Sequence, residues 1–171
     1  RFFEYMGKLG LLEKTGIDIA GEASTIIHKQ ENVGEVELAT MSFGQSFQIT
    51  PLQMLRAASA IINGGNLVTP HFAVKSVSEA DGTAVEFNYE IQSNAIEEKT
   101  SLMMKDILRQ VVEEGGGKKA YLEGFSIGGK TATSQKLPRG SGKYISSFIG
   151  FSPVDNAKVI AMCLIDEPQG I

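Results

Sequence analysis

Tryptophan is absent, cysteine occurs once (Cys163), and histidine twice (His28 and His71). A single cysteine permits neither an internal disulfide nor a cysteine-based zinc module. The two histidines stand alone, without the partner a general base needs, so surface or strand-entry roles are expected of both. Long apolar runs are also missing. The longest, Val159 to Ile165, is far short of the roughly 20 residues of a membrane-spanning helix. Nor is there an excess of positive charge. Sixteen Lys and Arg face twenty Asp and Glu, for a net charge of −4, which argues against the phosphate-seeking surface of a general nucleic-acid binder. No secretory signal opens the chain, and Arg1 stands where an initiator Met would. What remains is 171 residues, 42% of them hydrophobic, the length of one domain. A chain of that length buries about 70% of its unfolded surface.

The elements are read from periodicity and punctuation. Residues 2–11 place Phe2, Met6 and Leu9 on one helical face, with Gly10 near the end. A polar, glycine-containing loop is expected from Thr15 to about Gly34. Thr50-Pro51 is an N-cap followed by a first-turn proline. Leu52, Leu55, Ser59 and Ile62 then recur at helical spacing until Asn63-Gly64-Gly65. Two β-type runs, 67–78 and 84–89, flank the turn Ala80-Asp81-Gly82 and predict a hairpin, with Pro70 marking an edge or entry. A second long helix is expected over 95–114, capped by Asn94 with Glu97. Its expected apolar stripe is Met104, Ile107, Leu108 and Val111, and Gly115-Gly116-Gly117 stops it. Strands are expected near 125–134, 144–152 and 157–165, with a turn at Asp155-Asn156. Cys163, within the last of these, reads as a small buried hydrophobe. The fold class is therefore α+β with an antiparallel sheet.

One motif invites a nucleotide-binding reading. Gly124 to Thr131 satisfies G-x-x-x-x-G-K-[ST], and Met162-Cys163-Leu164-Ile165-Asp166-Glu167 resembles an apolar strand ending in an acidic pair. A phosphate loop must follow a buried strand and open a helix. Lys118 to Glu123 make a poor buried strand, and Pro138, Gly140 and Gly142 interrupt any helix after Thr131. The same residues read better as a strand. Edge residues Lys130, Thr131 and Thr133, with free N–H groups, suit an anionic extended peptide, or simply a solvated edge guarded by a lysine.

Gly129-Lys130-Thr131-Ala132-Thr133-Ser134-Gln135-Lys136 resembles the KTG box of penicillin-binding protein transpeptidase domains. Gly142 to Pro153 and the strand ending Ile165-Asp166-Glu167-Pro168 follow as they do in that family. Upstream, Thr15-Gly16-Ile17-Asp18 with Gly21-Glu22 is similar to its T-G-I-D…G-E loop. Ser42-Phe43-Gly44-Gln45 through Thr50-Pro51-Leu52-Gln53 to Asn63-Gly64-Gly65 is similar to its G-Q-G…T-P-L-Q…N-G-G segment. The resemblance spans nearly the whole chain and is closest to the class B enzymes of division and sporulation.

The resemblance implies a penicillin-binding protein/β-lactamase-like fold and a serine acyl transfer that cross-links peptidoglycan stem peptides at D-Ala-D-Ala, without metal or cofactor. It implies that Lys130 supplies positive charge and a proton-relay contact, and that the Thr131 and Thr133 hydroxyls hold a terminal carboxylate. The Thr133 backbone N–H would be an oxyanion donor, Gln135 would flank the bound acyl chain, and Ala132 would belong to the substrate-binding strand, where a methyl crowds the strand behind it or tilts the edge. Stem peptide and β-lactams are the implied ligands, and no nucleic acid is expected. Three features depart from the family. No serine is followed three residues later by lysine, no asparagine is preceded two residues earlier by serine, and Ala132 stands where the KTG glycine would be. Ser46 also replaces a glycine usual in the family. Residues 1–171 are therefore expected to be the C-terminal portion of one transpeptidase domain, cut at both ends and inactive alone. The remainder of that domain is an expected partner, and the parent is expected to be membrane-anchored with its domain on the extracytoplasmic face. The alternative implied by Ala132 is a degenerate homologue serving as a division or sporulation scaffold.

Overall fold

The computed structural model describes residues 1–138 and 140–169. Helix α1 spans Phe2–Lys8, α2 Glu35–Ser42, α3 Pro51–Ile62 and α4 Glu98–Glu113. Three antiparallel sheets accompany them. β1 (Leu67–Val68) pairs with β4 (Ile91–Gln92), and β2 (Lys75–Val77) pairs with β3 (Ala84–Glu86). The third sheet is the meander β5 (Gly128–Gln135), β6 (Tyr144–Ser152) and β7 (Val159–Asp166), in that spatial order.

Helix α3 organises the helical half. Thr50 Oγ1 accepts from the Gln53 N–H at 3.1 Å, and Gln53 Oε1 accepts from the Thr50 N–H at 2.8 Å. This is the reciprocal cap that Thr-Pro-Leu-Gln promises. Gln53 is fully buried, and its Nε2 also donates to the Glu13 carbonyl and to Thr25 Oγ1. The T-P-L-Q segment thus pins the loop that carries Thr15 to Glu22. The helix buries Gln53, Ala57, Ala60 and Ile62 rather than the expected Leu52, Leu55 and Ser59. Ala60 packs with Leu67 and Ala95, and Leu9 covers them. Past the helix, Gly65 takes φ +93°, and a Cβ there would collide with the Ile96 carbonyl. Glycine is obligatory at that crossing.

Several expectations are corrected. Helix α1 ends at Lys8, with Gly10 at φ +67° beyond it. Helix α2 was missed because its Val36 and Leu38 alternate like strand residues and are exposed; only Met41 is buried. Its cap is Gly34, whose N–H donates to Glu37 Oε2 at 3.0 Å. Asn94 does not cap α4. It sits at φ +62°, whereas an N-cap needs the extended region, which Glu97 occupies. The face of α4 turned inward carries Ser101, Leu108 and Val112, while Ile107 of the expected stripe is half exposed. The run 67–78 is not one strand: Pro70 separates β1 from the β2–β3 hairpin. The hairpin turn itself falls where expected, closed by Ser78 N–H to Thr83 O at 2.9 Å.

The sheet packs one face against α3 and α4. Phe151 and Val154 meet Ile62, with Ile61, Leu108 and Ile160 around them. By the pleat, Gly128, Phe151 and Ile160 share this helix-facing side. Thr131, Phe148 and Cys163 share the opposite side. Cys163 is exposed rather than buried, because nothing among the described residues covers that side of β7.

Candidate functional site

The KTG-like residues form strand β5. Threonines at 131 and 133 favour the pleat, and the glycines before them are demanded by packing rather than by a phosphate. A Cβ on Gly128 would strike the Phe151 ring, and one on Gly129 the Phe148 ring and the Ile149 carbonyl. Among the described residues no helix follows Thr131. The segment before β5 is a short 3-10 turn at Lys118–Ala120 and an irregular stretch, and β5 runs antiparallel to β6. The acidic pair Asp166-Glu167 binds lysines at the end of β7 instead of facing Thr131. The phosphate-loop reading is overturned by each of these features.

The ladder decides which backbone groups of β5 are free. The Lys136 N–H donates to the Lys143 carbonyl at 2.9 Å, so position 136 points inward. In an antiparallel ladder the direction alternates with each residue. Even-numbered residues of β5 therefore bond to β6, and Gly129, Thr131, Thr133 and Gln135 turn their N–H and C=O outward. Lys130 Nζ donates to the Thr131 carbonyl at 2.7 Å, which places that carbonyl on the open side. Among the described residues β5 has a strand on one side only. Lys130, Thr131, Ala132 and Thr133 are exposed, and Gln135 is half-buried. The side chains of Thr131 and Thr133 share one face with Phe148 and Ser146. Lys130 and Ala132 start on the other, from which the long Lys130 side chain curls to the edge.

Other motif segments are brought to this strand only in part. Gln45 Nε2 reaches Ser134 Oγ at 3.5 Å, so the loop after α2 touches the β5 end. Ser46 in that loop adopts φ +66°, the region glycine prefers, and bonds Thr40 Oγ1 through its hydroxyl at 2.9 Å. The T-G-I-D loop is scaffold. Glu22 accepts the Thr15 N–H at 2.7 Å and the Gly16 N–H at 3.3 Å. Burial disfavours the Glu22 charge, yet these bonds outweigh it and hold its carboxyl below the usual range. Asp18 accepts from the Ala73 N–H at 2.7 Å, from the Phe72 N–H, and from Tyr89 Oη at 3.1 Å. These donors, Ala73 first, hold its carboxyl below the usual range. His71 stacks flat on Tyr89 with centroids 3.9 Å apart, and His28 is exposed. Sequence reasoning missed the ion cluster of Lys136, Lys143, Asp166 and Glu167. Its carboxylates were visible only as an acidic pair with no assigned partner.

Comparison with known proteins gives concordant relations. The family model for the penicillin binding protein transpeptidase domain matches residues 1–170. Stage V sporulation protein D of Bacillus subtilis is 39% identical over 174 residues, covering 99% of this chain and 27% of that protein. The probable peptidoglycan D,D-transpeptidase PenA of Neisseria meningitidis is 29% identical over 170 residues, covering 97% of this chain and 27% of its own length. The chain thus spans about a quarter of these relatives. The crystal structure of penicillin binding protein 3 from Mycobacterium tuberculosis, complexed with ampicillin, superposes with a TM-score of 0.90 at 27% identity. It covers 98% of this chain and 40% of that one. A helix-backed antiparallel meander with a free KTG-like edge, and a family match from Arg1 nearly to the end, establish that this chain belongs to the penicillin-binding protein transpeptidase family.

Proposed function

We propose that the protein containing this chain is a serine D,D-transpeptidase that cross-links peptidoglycan stem peptides, with β5 as its substrate strand. The observation that carries this reading is the outward-facing Thr133 N–H on an uncovered strand edge, with the Lys130 ammonium beside it. An extended peptide laid along that edge would pair with the Thr131 and Thr133 backbone as an added strand. Its terminal carboxylate would sit by the Thr131 and Thr133 hydroxyls and the Lys130 charge. When a serine attacks the D-Ala-D-Ala carbonyl, the oxygen gains negative charge. The Thr133 N–H, aimed at that position in advance, would stabilise the charge without reorganising. The C–N bond then breaks, D-Ala leaves with a proton, and a second stem amine takes the acyl group from the serine. Gln135 would flank the acyl chain.

The serine must come from elsewhere in the protein, since this chain holds neither S-x-x-K nor S-x-N. Residues 1–171 are, in this reading, the carboxylate-anchoring part of a transpeptidase domain whose nucleophile lies on another segment. β-Lactams would enter the same site, because they carry a carboxylate and a reactive amide at similar spacing. The relatives' role in cell-wall synthesis supports an extracytoplasmic site of action. No helix among the described residues is long and apolar enough to cross a membrane.

Fluorescent penicillin tests the proposal. The full-length protein should give a covalent band on a denaturing gel, and the 171-residue chain alone should give none. A band on the 171-residue chain would contradict the placement of the nucleophile. An unlabelled full-length protein would favour a non-catalytic scaffold.

A further inference from the structure

The end of β5, the start of β6 and the end of β7 meet at one corner of the sheet, where four charged side chains interlock. Lys136 Nζ lies 2.8 and 3.0 Å from the two Asp166 carboxylate oxygens and 2.9 Å from Glu167 Oε1. Lys143 Nζ donates to the same Glu167 oxygen at 3.1 Å. An isolated exposed ion pair contributes little. Here one ammonium is shared by two carboxylates, the Lys136 side chain is only 28% exposed, and a second lysine closes the network. Glu167 adopts φ +49°, a left-handed conformation disfavoured for a residue with a side chain. Its N–H nevertheless donates to the Tyr144 carbonyl at 2.9 Å, extending the ladder past β7. Such a conformation persists where the surroundings over-determine it.

Strand β5 needs an extra restraint at this end. β6 is the one strand paired with it among the described residues, α4 packs on its glycine end, and Gln45 reaches Ser134, but no strand lies along its outer side there. Its carboxyl-terminal half carries Thr133 and Gln135. We propose that Lys136 is a positioning residue: with Asp166 and Glu167 it clasps the end of the free edge strand to β7, across β6, and so holds the Thr133 N–H where substrate needs it. This rests on the reading of β5 as the substrate strand. The Asp166 and Glu167 contacts also raise the Lys136 ammonium above the ordinary lysine range, and Lys136, then Lys143, lower the Glu167 carboxyl. The clasp lies outside the row of groups that touch substrate. It acts through strand geometry, and misplacement of a reacting group by about 1 Å costs up to about a hundredfold in rate.

Two readouts on the full-length protein test it. Hydrogen exchange of peptides spanning 132–137 and 143–147 should be at least about tenfold faster in Lys136→Met and near wild type in Lys136→Arg, with 148–152 unchanged in both. The second-order rate of acylation by fluorescent penicillin should fall about tenfold in Lys136→Met and be retained in Lys136→Arg. Unchanged exchange in Lys136→Met overturns the clasp, whether or not the wild-type protein takes the label. Faster exchange with an unchanged acylation rate overturns the positioning role. An arginine variant as impaired as the methionine variant overturns the ionic basis. A wild-type protein that takes no label contradicts the transpeptidase reading, and exchange still decides the clasp.

Discussion

Gln53 does the work of several residues. One buried amide closes the cap of α3 and also holds the Glu13 carbonyl and the Thr25 hydroxyl. Gln53→Ala strands each of these groups, and a buried unsatisfied polar group costs about 1–3 kcal/mol. We expect a loss of roughly 2–4 kcal/mol, read as a lowered midpoint in thermal or urea unfolding. A change under 1 kcal/mol would show that water replaces the amide. Ala132 is the residue-scale departure with a functional reading. Its backbone bonds to Ser147 across the ladder, and its methyl stands exposed on the face from which Lys130 starts. We propose that this methyl tilts or crowds the strand edge that a ligand approaches. Ala132→Gly should raise the acylation rate severalfold, since one methylene-sized contact is worth at most about 1–3 kcal/mol. The same substitution should lower stability by about 0.5–1 kcal/mol, because glycine weakens a strand. A slower Ala132→Gly enzyme would contradict the crowding.

Among the elements, those with explicit punctuation were legible in the sequence. Thr50-Pro51 and Gln53 mark the start of α3, and the threonines within Gly128 to Gln135 favour a strand. Helix α2 carries no such mark: its cap is a glycine, and its Val36 and Leu38 face solvent. The true start of α4 was hidden because Asn94 and Glu97 fit a capping pattern that only the Asn94 dihedral refutes. The site strand was legible, and the family resemblance pointed to the Thr133 N–H, but the residues alone did not say which N–H groups are free. That follows from ladder parity, which depends on register and leaves no trace in composition. Asp18 shows a similar gap, since its partners Phe72, Ala73 and Tyr89 are far along the chain. It docks the hairpin 72–90 on the T-G-I-D loop. The carboxyl is held below the usual range by the Ala73 and Phe72 N–H groups. That stabilisation is complete above the ordinary carboxylate pKa and is lost as pH falls through the lowered folded value. The Phe72 and Ala73 amide proton shifts should therefore move together on acidification, below the ordinary aspartate range, and be displaced at every pH in Asp18→Ala. Amide shifts unaffected by Asp18→Ala would sink this anchoring role.

At the scale of the whole molecule, the described residues cover the sheet on one face and leave the other open. Phe151 and Ile160 meet the helices, while Val159, Cys163 and Ile165 are exposed along β7. If the rest of the transpeptidase domain covers that face, Cys163 should react with a thiol reagent at least about tenfold more slowly in the full-length protein than in the 171-residue chain. Equal rates would mean the face stays bare.

Proline tests directly whether the outward Thr133 N–H serves acyl transfer, as proposed. Proline is tolerated on an edge strand where its missing N–H would face away from the ladder, which is the situation of Thr133. In the full-length protein, Thr133→Pro should keep the fold yet lower the acylation rate by about 10²–10³-fold, the cost of one lost oxyanion donor. Thr133→Val, which keeps the N–H and removes only the hydroxyl, should lose much less. A folded Thr133→Pro protein that acylates at the wild-type rate would contradict the account.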